Sequence, residues 1–189
     1  DRGEIRLDGK ALRLSSNRAA IANGIAYVSE DRLSLGLVLE QPISSNIVLS
    51  TLDKLTGAGG LLNTQRREVA VQHWIEQLGI RVSDPENPVR TLSGGNQQRV
   101  VLAKWLATQP RVLILDSPTV GVDINAKDGI YAIVKRLAAA GMAVMMISDE
   151  IPEVLYHAHR ILVMQGGRVK GEFHPAEISE TSLREAIDA

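Results

Sequence analysis

Two short stretches carry residue types suited to phosphate chemistry. The first is Leu92-Ser93-Gly94-Gly95-Asn96-Gln97-Gln98-Arg99, where paired glycines open a helical pattern. A helix starting there presents free backbone N–H groups at its N-terminus, a ready anion site. The second is the apolar run Val112-Leu113-Ile114-Leu115, closed by Asp116. Such a run suits a buried parallel strand that delivers its carboxylate to the carboxyl edge of a sheet. Other chemistry has less support. His157 and His159 are two apart, so on a helix they do not share a face, and they read as surface residues rather than metal ligands. His73 and His174 have no partner nearby in the sequence. There is no cysteine, which removes disulfides and thiolate metal sites and fits a reducing cytoplasm.

The elements that must position these residues follow from periodicity. Ile5 and Leu7 alternate with charged residues, Asp8-Gly9 signals a turn, and Leu12 and Leu14 resume the alternation, so the chain opens as a hairpin. A short helix stopped by Gly24 leads to a buried strand, Ile25-Ala26-Tyr27-Val28, and then to the polar loop Ser29-Glu30-Asp31-Arg32. Residues 41–108 read as mostly helical, with helices over 45–55 and 64–78; Val69, Trp74 and Leu78 are core candidates of the second. After Gly95 a helix places Val101, Leu102, Trp105 and Leu106 on one face. Beyond Pro110 the pattern is strand, helix, strand: Val112 to Leu115, the stripe Ala126, Ile130, Ile133, Val134 and Leu137, then Ala143 to Ile147. That order predicts a right-handed parallel crossover. Pro152 suits the first turn of a further helix, and two strands around Gln165-Gly166-Gly167 form a terminal hairpin.

Composition narrows the function classes. The 189 residues suit one α/β domain with room for a core. With 44% hydrophobic and 23% charged residues the chain is ordinary for a globular domain. A formal net charge of −1 and an aromatic complement of two Trp, three Tyr and one Phe argue against a nucleic-acid partner. No apolar run is long enough to span a membrane, and no signal peptide is visible.

In this order and spacing, the Leu92–Arg99 stretch and the strand ending in Asp116 resemble the signature motif and Walker B strand of ATP-binding cassette (ABC) ATPases. The resemblance covers almost the whole chain. It implies an α/β fold of the P-loop NTPase type: a mostly parallel sheet with an antiparallel β portion (residues 1–40 and 109–189) and a helical subdomain bearing the signature (residues 41–108). ATP and Mg²⁺ are the implied cofactors, with Asp116 as the metal carboxylate. The phosphate cradle G-x-x-x-x-G-K-[ST] is not in the sequence, since Gly57 to Gly60 lack the lysine and lie between helices. The chain therefore resembles a cassette truncated after its phosphate loop, and the fragment alone is expected to be inactive.

Three positions of the resembling catalytic set depart from the family pattern. Ser117 stands where a water-polarising Glu is usual, and a serine is no general base near neutral pH without an activating partner. Asp149, in Ser148-Asp149-Glu150, replaces the His that contacts the γ-phosphate, and a carboxylate there repels the triphosphate. Glu30 replaces the loop Gln that approaches the metal and water. The signature itself is intact. In the family it covers the nucleotide of a partner cassette, which assigns phosphate contact to Ser93, Gly94, Gly95 and Gln97; Asp123, in Val120-Gly121-Val122-Asp123, matches the loop that couples the two sites.

Ser29-Glu30-Asp31-Arg32, Leu92 to Gln98, Pro118 to Asp123 and the non-His Asp149 resemble one branch in particular, the fused ATPases of bacterial monosaccharide importers. The resemblance is to the second of their two cassettes. It implies work at the cytoplasmic face of the bacterial inner membrane. The implied partners are a first cassette in the same polypeptide, a transmembrane permease contacted by residues 30–46, and indirectly a periplasmic sugar-binding protein. The competing readings are a purely structural or regulatory cassette, and a soluble ABC protein of translation or DNA repair. The last would show long insertions or basic surfaces, which this chain lacks.

Overall fold

The computed structural model describes residues 3–57 and 59–188. Strands β1 (Ile5–Leu7) and β2 (Lys10–Leu12) pair antiparallel. Their two-residue turn puts Asp8 at φ 50° and Gly9 at φ 75°, the left-handed pair that a tight hairpin needs. Helix α1 (Asn17–Ala22) is capped by Ser16, whose side chain accepts from the Ala19 amide. Gly24, at φ 75°, turns the chain into β3 (Ile25–Val28).

The central sheet is three-stranded and parallel, in the order β3, β4 (Val112–Asp116), β5 (Ala143–Ile147). Its register pairs Val28 with Leu115 and Asp116 with Ile147, so the three strands finish at one edge. Helices α4 (Gly94–Leu106) and α5 (Ile124–Ala139) pack on β3 and β5 respectively. Under them Ala26, Val28, Leu113 and Leu115 are buried. The opposite face corrects the expectation of strands buried on both sides. Tyr27 is 44%, Met145 51% and Ile147 42% exposed, because the described residues leave that face uncovered. Parallel sheets normally have both faces packed.

Between β3 and β4 the chain is helical, as expected. Helix α2 (Ile43–Val48) begins two residues before the predicted start and passes directly into a 3₁₀ stretch, Leu49–Leu55, which is itself kinked at Thr51. Helix α3 (Thr64–Leu78) has the expected bounds, set by Asn63 accepting from the Arg66 amide and by Gly79 at φ 59°. Its buried stripe is Val71 and Leu78 with Trp74 and Ile75 half-buried; Val69 lies off that stripe and is 65% exposed, correcting its place in the core. One continuous apolar cluster joins this region to the sheet, with α4 packed against both.

After β5, α6 (Ile151–His157) carries Pro152 in its first turn. The hairpin β6 (Ile161–Gln165) and β7 (Arg168–Phe173) turns through Gly166 and Gly167 as predicted. A final helix, α7 (Glu180–Asp188), was not foreseen. It buries Leu183 against Ile151, Ile161 and Val163 in a second, smaller core.

Candidate functional site

The sheet edge collects four of the expected residues. Asp116 ends β4, Ser117 follows it, and the parallel register sets Glu30 beyond β3 and Asp149 beyond β5 at the same edge. Glu30 and Asp149 are exposed to solvent. Ser117 has φ 45°, a left-handed backbone that costs an L-residue about 1 kcal/mol, and its amide donates to the Ile147 carbonyl at 2.9 Å. Among the described residues no three His, Cys, Asp or Glu side chains converge tightly enough to hold a metal by themselves. A single strand-end carboxylate nevertheless fits Mg²⁺, which keeps several waters and binds through one or two carboxylates plus substrate phosphates.

Sequence reasoning missed one member of this edge. The Tyr27 hydroxyl donates to Asp116 Oδ2 at 2.7 Å. That bond, followed by desolvation and the carboxylate's charge, raises the Tyr27 pKa, so the phenol stays a donor that orients the carboxylate. The signal was available: in register, Tyr27 lies opposite Ile114, which shares a strand face with Asp116.

A second group forms at the start of α4. Ser93 is the N-cap residue, exposed, and its side chain makes no capping bond; its Oγ accepts from Asn96 Nδ2 at 3.1 Å. The following glycines are required by packing within the chain. A Cβ on Gly94 would lie 2.9 Å from both Arg32 Nη2 and the Gly121 carbonyl oxygen, and one on Gly95 would lie 2.5 Å from the Ala126 Cβ. Gln97 departs from its expected role: it is 8% exposed and turned inward, its Nε2 3.5 Å from the Val89 carbonyl. Asp123 caps α5, accepting from the Ala126 amide at 3.0 Å. The loop from Ser117 to Asp123 thus runs from the sheet edge to the start of α4, joining the two groups.

Beneath that loop is a buried polar cluster. Thr119 donates to Glu153 Oε1 at 3.1 Å and its Oγ1 lies 3.3 Å from the Tyr131 hydroxyl. Burial first, then Glu153, pushes the Tyr131 pKa up to about 12. His157 stacks on Tyr131 with ring centroids 3.8 Å apart, and burial lowers its pKa. His157 is therefore a half-buried packing residue, which corrects its reading as a surface side chain; His159 is exposed.

A parallel sheet with a carboxylate at its carboxyl edge, flanked by helices and joined to a glycine-led helix N-terminus, defines a nucleotide-cassette type of α/β domain. The sequence comparisons agree with the geometry. The model of the ABC transporter family matches residues 1–120, and the chain belongs to that family. The ribose import ATP-binding protein RbsA of Geobacillus kaustophilus is 46% identical over 170 residues, covering 90% of this chain and 34% of that protein. RbsA of Chromobacterium violaceum is 48% identical over 184 residues, covering 97% of this chain and 36% of that protein. The chain thus spans about a third of the length of the curated relatives it matches. Among solved structures, the ATP-binding cassette MJ0796, a dimer bound to ADP and Pi, superposes with a TM-score of 0.75 at 22% identity. It covers 92% of this chain and 74% of that one, a likeness of fold.

Proposed function

We propose that this chain is the second ATP-binding cassette of a fused bacterial sugar importer, in which it completes a partner cassette's nucleotide site while its own site is degenerate. The observation that carries this reading is the contrast between an exposed, uncapped Ser93 at an intact glycine-led helix and a sheet edge bearing Ser117 and Asp149. The names of the relatives support the sugar-import context, and their greater length supports a second cassette in the same polypeptide. The uncovered face of the central sheet is consistent with further chain, including a phosphate loop and its helix, packing there.

On this reading ATP hydrolysis occurs chiefly at the composite site closed by Ser93. Water attacks the γ-phosphorus, the bond to the β,γ-bridging oxygen breaks, and ADP and phosphate leave. Ser93 donates its hydroxyl to the γ-phosphate, and the α4 N-terminus adds its backbone dipole. At this cassette's own edge Asp116, oriented by Tyr27, would hold Mg²⁺, which supplies charge neutralisation to the phosphates when bound. Ser117 lacks the basicity to take up a proton from water near neutral pH, and the Asp149 carboxylate adds negative charge where the transition state needs it offset.

No helix among the described residues is long and apolar enough to cross a membrane. Attachment to the cytoplasmic face would therefore come through the permease, against residues 30–46, with the sugar-binding protein acting from the far side. The structural-cassette reading differs only in denying any turnover at Asp116. Measuring ATP hydrolysis in the full-length protein, reconstituted with its permease, separates the two: Asp116→Asn leaves turnover unchanged under the structural reading and lowers it modestly under the reading proposed here, in which this edge keeps a minor share.

A further inference from the structure

Arg32 occupies an unusual position for a cation. Its Nη1 donates to the Val120 carbonyl and its Nη2 to the Gly121 carbonyl at 2.8 Å, and the same Nη2 lies against Gly94 at the start of α4. One guanidinium, carried by the loop after β3, therefore joins the loop after β4 to the start of α4. Among the described residues no carboxylate pairs with it, and its Nε is buried without a partner. It also sits at the positive end of a helix dipole, where a cation is disfavoured. A side chain needed only to fill space would avoid both costs.

The segment that carries Arg32 is fastened twice to α4. Arg32–Gly36 forms a π-helical turn, a form that is rare and concentrated at functional places. Its start is fixed by Asp31 accepting from the Ser34 amide at 2.9 Å. Its end is held by the buried Lys104 of α4, whose Nζ donates to the Gly36 carbonyl, with Gly36 against Val101. Meanwhile Leu33 and Leu35, 47% and 73% exposed, point outward from the turn.

We propose that Arg32 is a positioning residue: its planar fork locks the Val120–Gly121 carbonyls against the start of α4, so that Ser93 and Asp123 are presented as one rigid unit. A displacement of the exposed turn would then move both motifs together. Lysine, a point charge on a flexible stem, cannot reproduce a fork that spans two carbonyls. The functional half of this proposal rests on the cassette reading above.

The test uses the full-length protein with Arg32→Met, which keeps much of the side-chain bulk, and Arg32→Lys. The loop's own turn bonds, from the Val120 amide to Ser117 and from the Val122 amide to Thr119, report its rigidity by hydrogen exchange. Arg32→Met should speed exchange at these two amides about tenfold, with the melting temperature nearly unchanged. With the permease in vesicles, it should lower kcat for ATP about tenfold and leave KM alone, with Arg32→Lys recovering only part of both losses. Wild-type exchange rates at Val120 and Val122 overturn the lock itself. Faster exchange with normal kcat overturns its role in turnover. If the wild-type protein hydrolyses no ATP with its permease, the importer reading fails instead, and the exchange measurement still decides the lock.

Discussion

The two ends of the Ser117–Asp123 loop answer to different constraints. At the sheet edge the backbone frame is intact: β3, β4 and β5 end in register and Asp116 is held by Tyr27. On the proposed reading the side chains around it are poorly matched to phosphate chemistry, with Ser117 and Asp149 standing where a base and a charge stabiliser would be expected. At the start of α4 the proposed reading takes both frame and side chains as intact, and the glycines are also packed against Arg32, Gly121 and Ala126 of the same chain. A cassette can lose the chemistry of one edge without losing the fold, because Glu30 and Asp149 are exposed, Asp116 and Ser117 are only half-buried, and none of the four belongs to the core. It cannot alter the signature glycines so freely, because they sit in the packing between α4, α5 and the loop.

That contrast orders the expected effects of mutation. Gly94→Asp in the full-length protein should be the most damaging, lowering ATP turnover by about a hundredfold or more. A carboxylate there would repel phosphate, and its Cβ must also displace Arg32 and the Gly121 carbonyl, so the variant measures two effects at once. Near-normal turnover would remove both. Gly95→Ala isolates the packing effect: with its Cβ 2.5 Å from that of Ala126, it should cost about 2 kcal/mol and lower the melting temperature by about 6 °C. A scan matching wild type would mean that α4 and α5 separate easily.

Glu153→Ala removes the acceptor beneath the loop and leaves the Thr119 hydroxyl only the Tyr131 hydroxyl, 3.3 Å away, at a cost of about 1–2 kcal/mol in denaturant unfolding. The pH dependence should be smaller. Burial lowers the His157 pKa from 6.5, Lys135 lowers it further, and Glu153 and Asp128 act in the opposite sense. The unfolded chain therefore takes up the proton first as pH falls. The stability that neutral His157 contributes is complete above the ordinary histidine value and is lost as pH drops through it toward the depressed folded value. His157→Phe, which keeps a ring over Tyr131, should flatten this part of the stability–pH curve; an unchanged slope would assign it to other groups. Smallest of all should be Asp149→Ala, with full-length turnover within about twofold of wild type.

Much of this arrangement was readable from local patterns. The Asp8-Gly9 turn, the bounds of α3 and the strand Ala143–Ile147 each rest on short-range chemistry that the sequence states directly. Asp116 and the Ser93 helix start were found because strand ends and helix starts have local signatures. Failures came where tertiary geometry decides. Val69 fell on the wrong face because α3 buries a narrower stripe than its apolar content suggests. Leu183 became a core residue only through the hairpin that α7 packs against. Arg32 looked like one more charge in a polar loop, and nothing local reveals that its partners are the carbonyls of Val120 and Gly121.

The sharpest test compares one residue from each end of the loop. Ser93→Ala removes a single exposed hydroxyl and, unlike the glycine variants, adds no atom to a packed interface. In the full-length protein with its permease in vesicles, Ser93→Ala should reduce ATP turnover about tenfold while Asp149→Ala stays near wild type. The reverse ranking, with Asp149→Ala disabling turnover and Ser93→Ala leaving it intact, would contradict the assignment of the working surface to the start of α4.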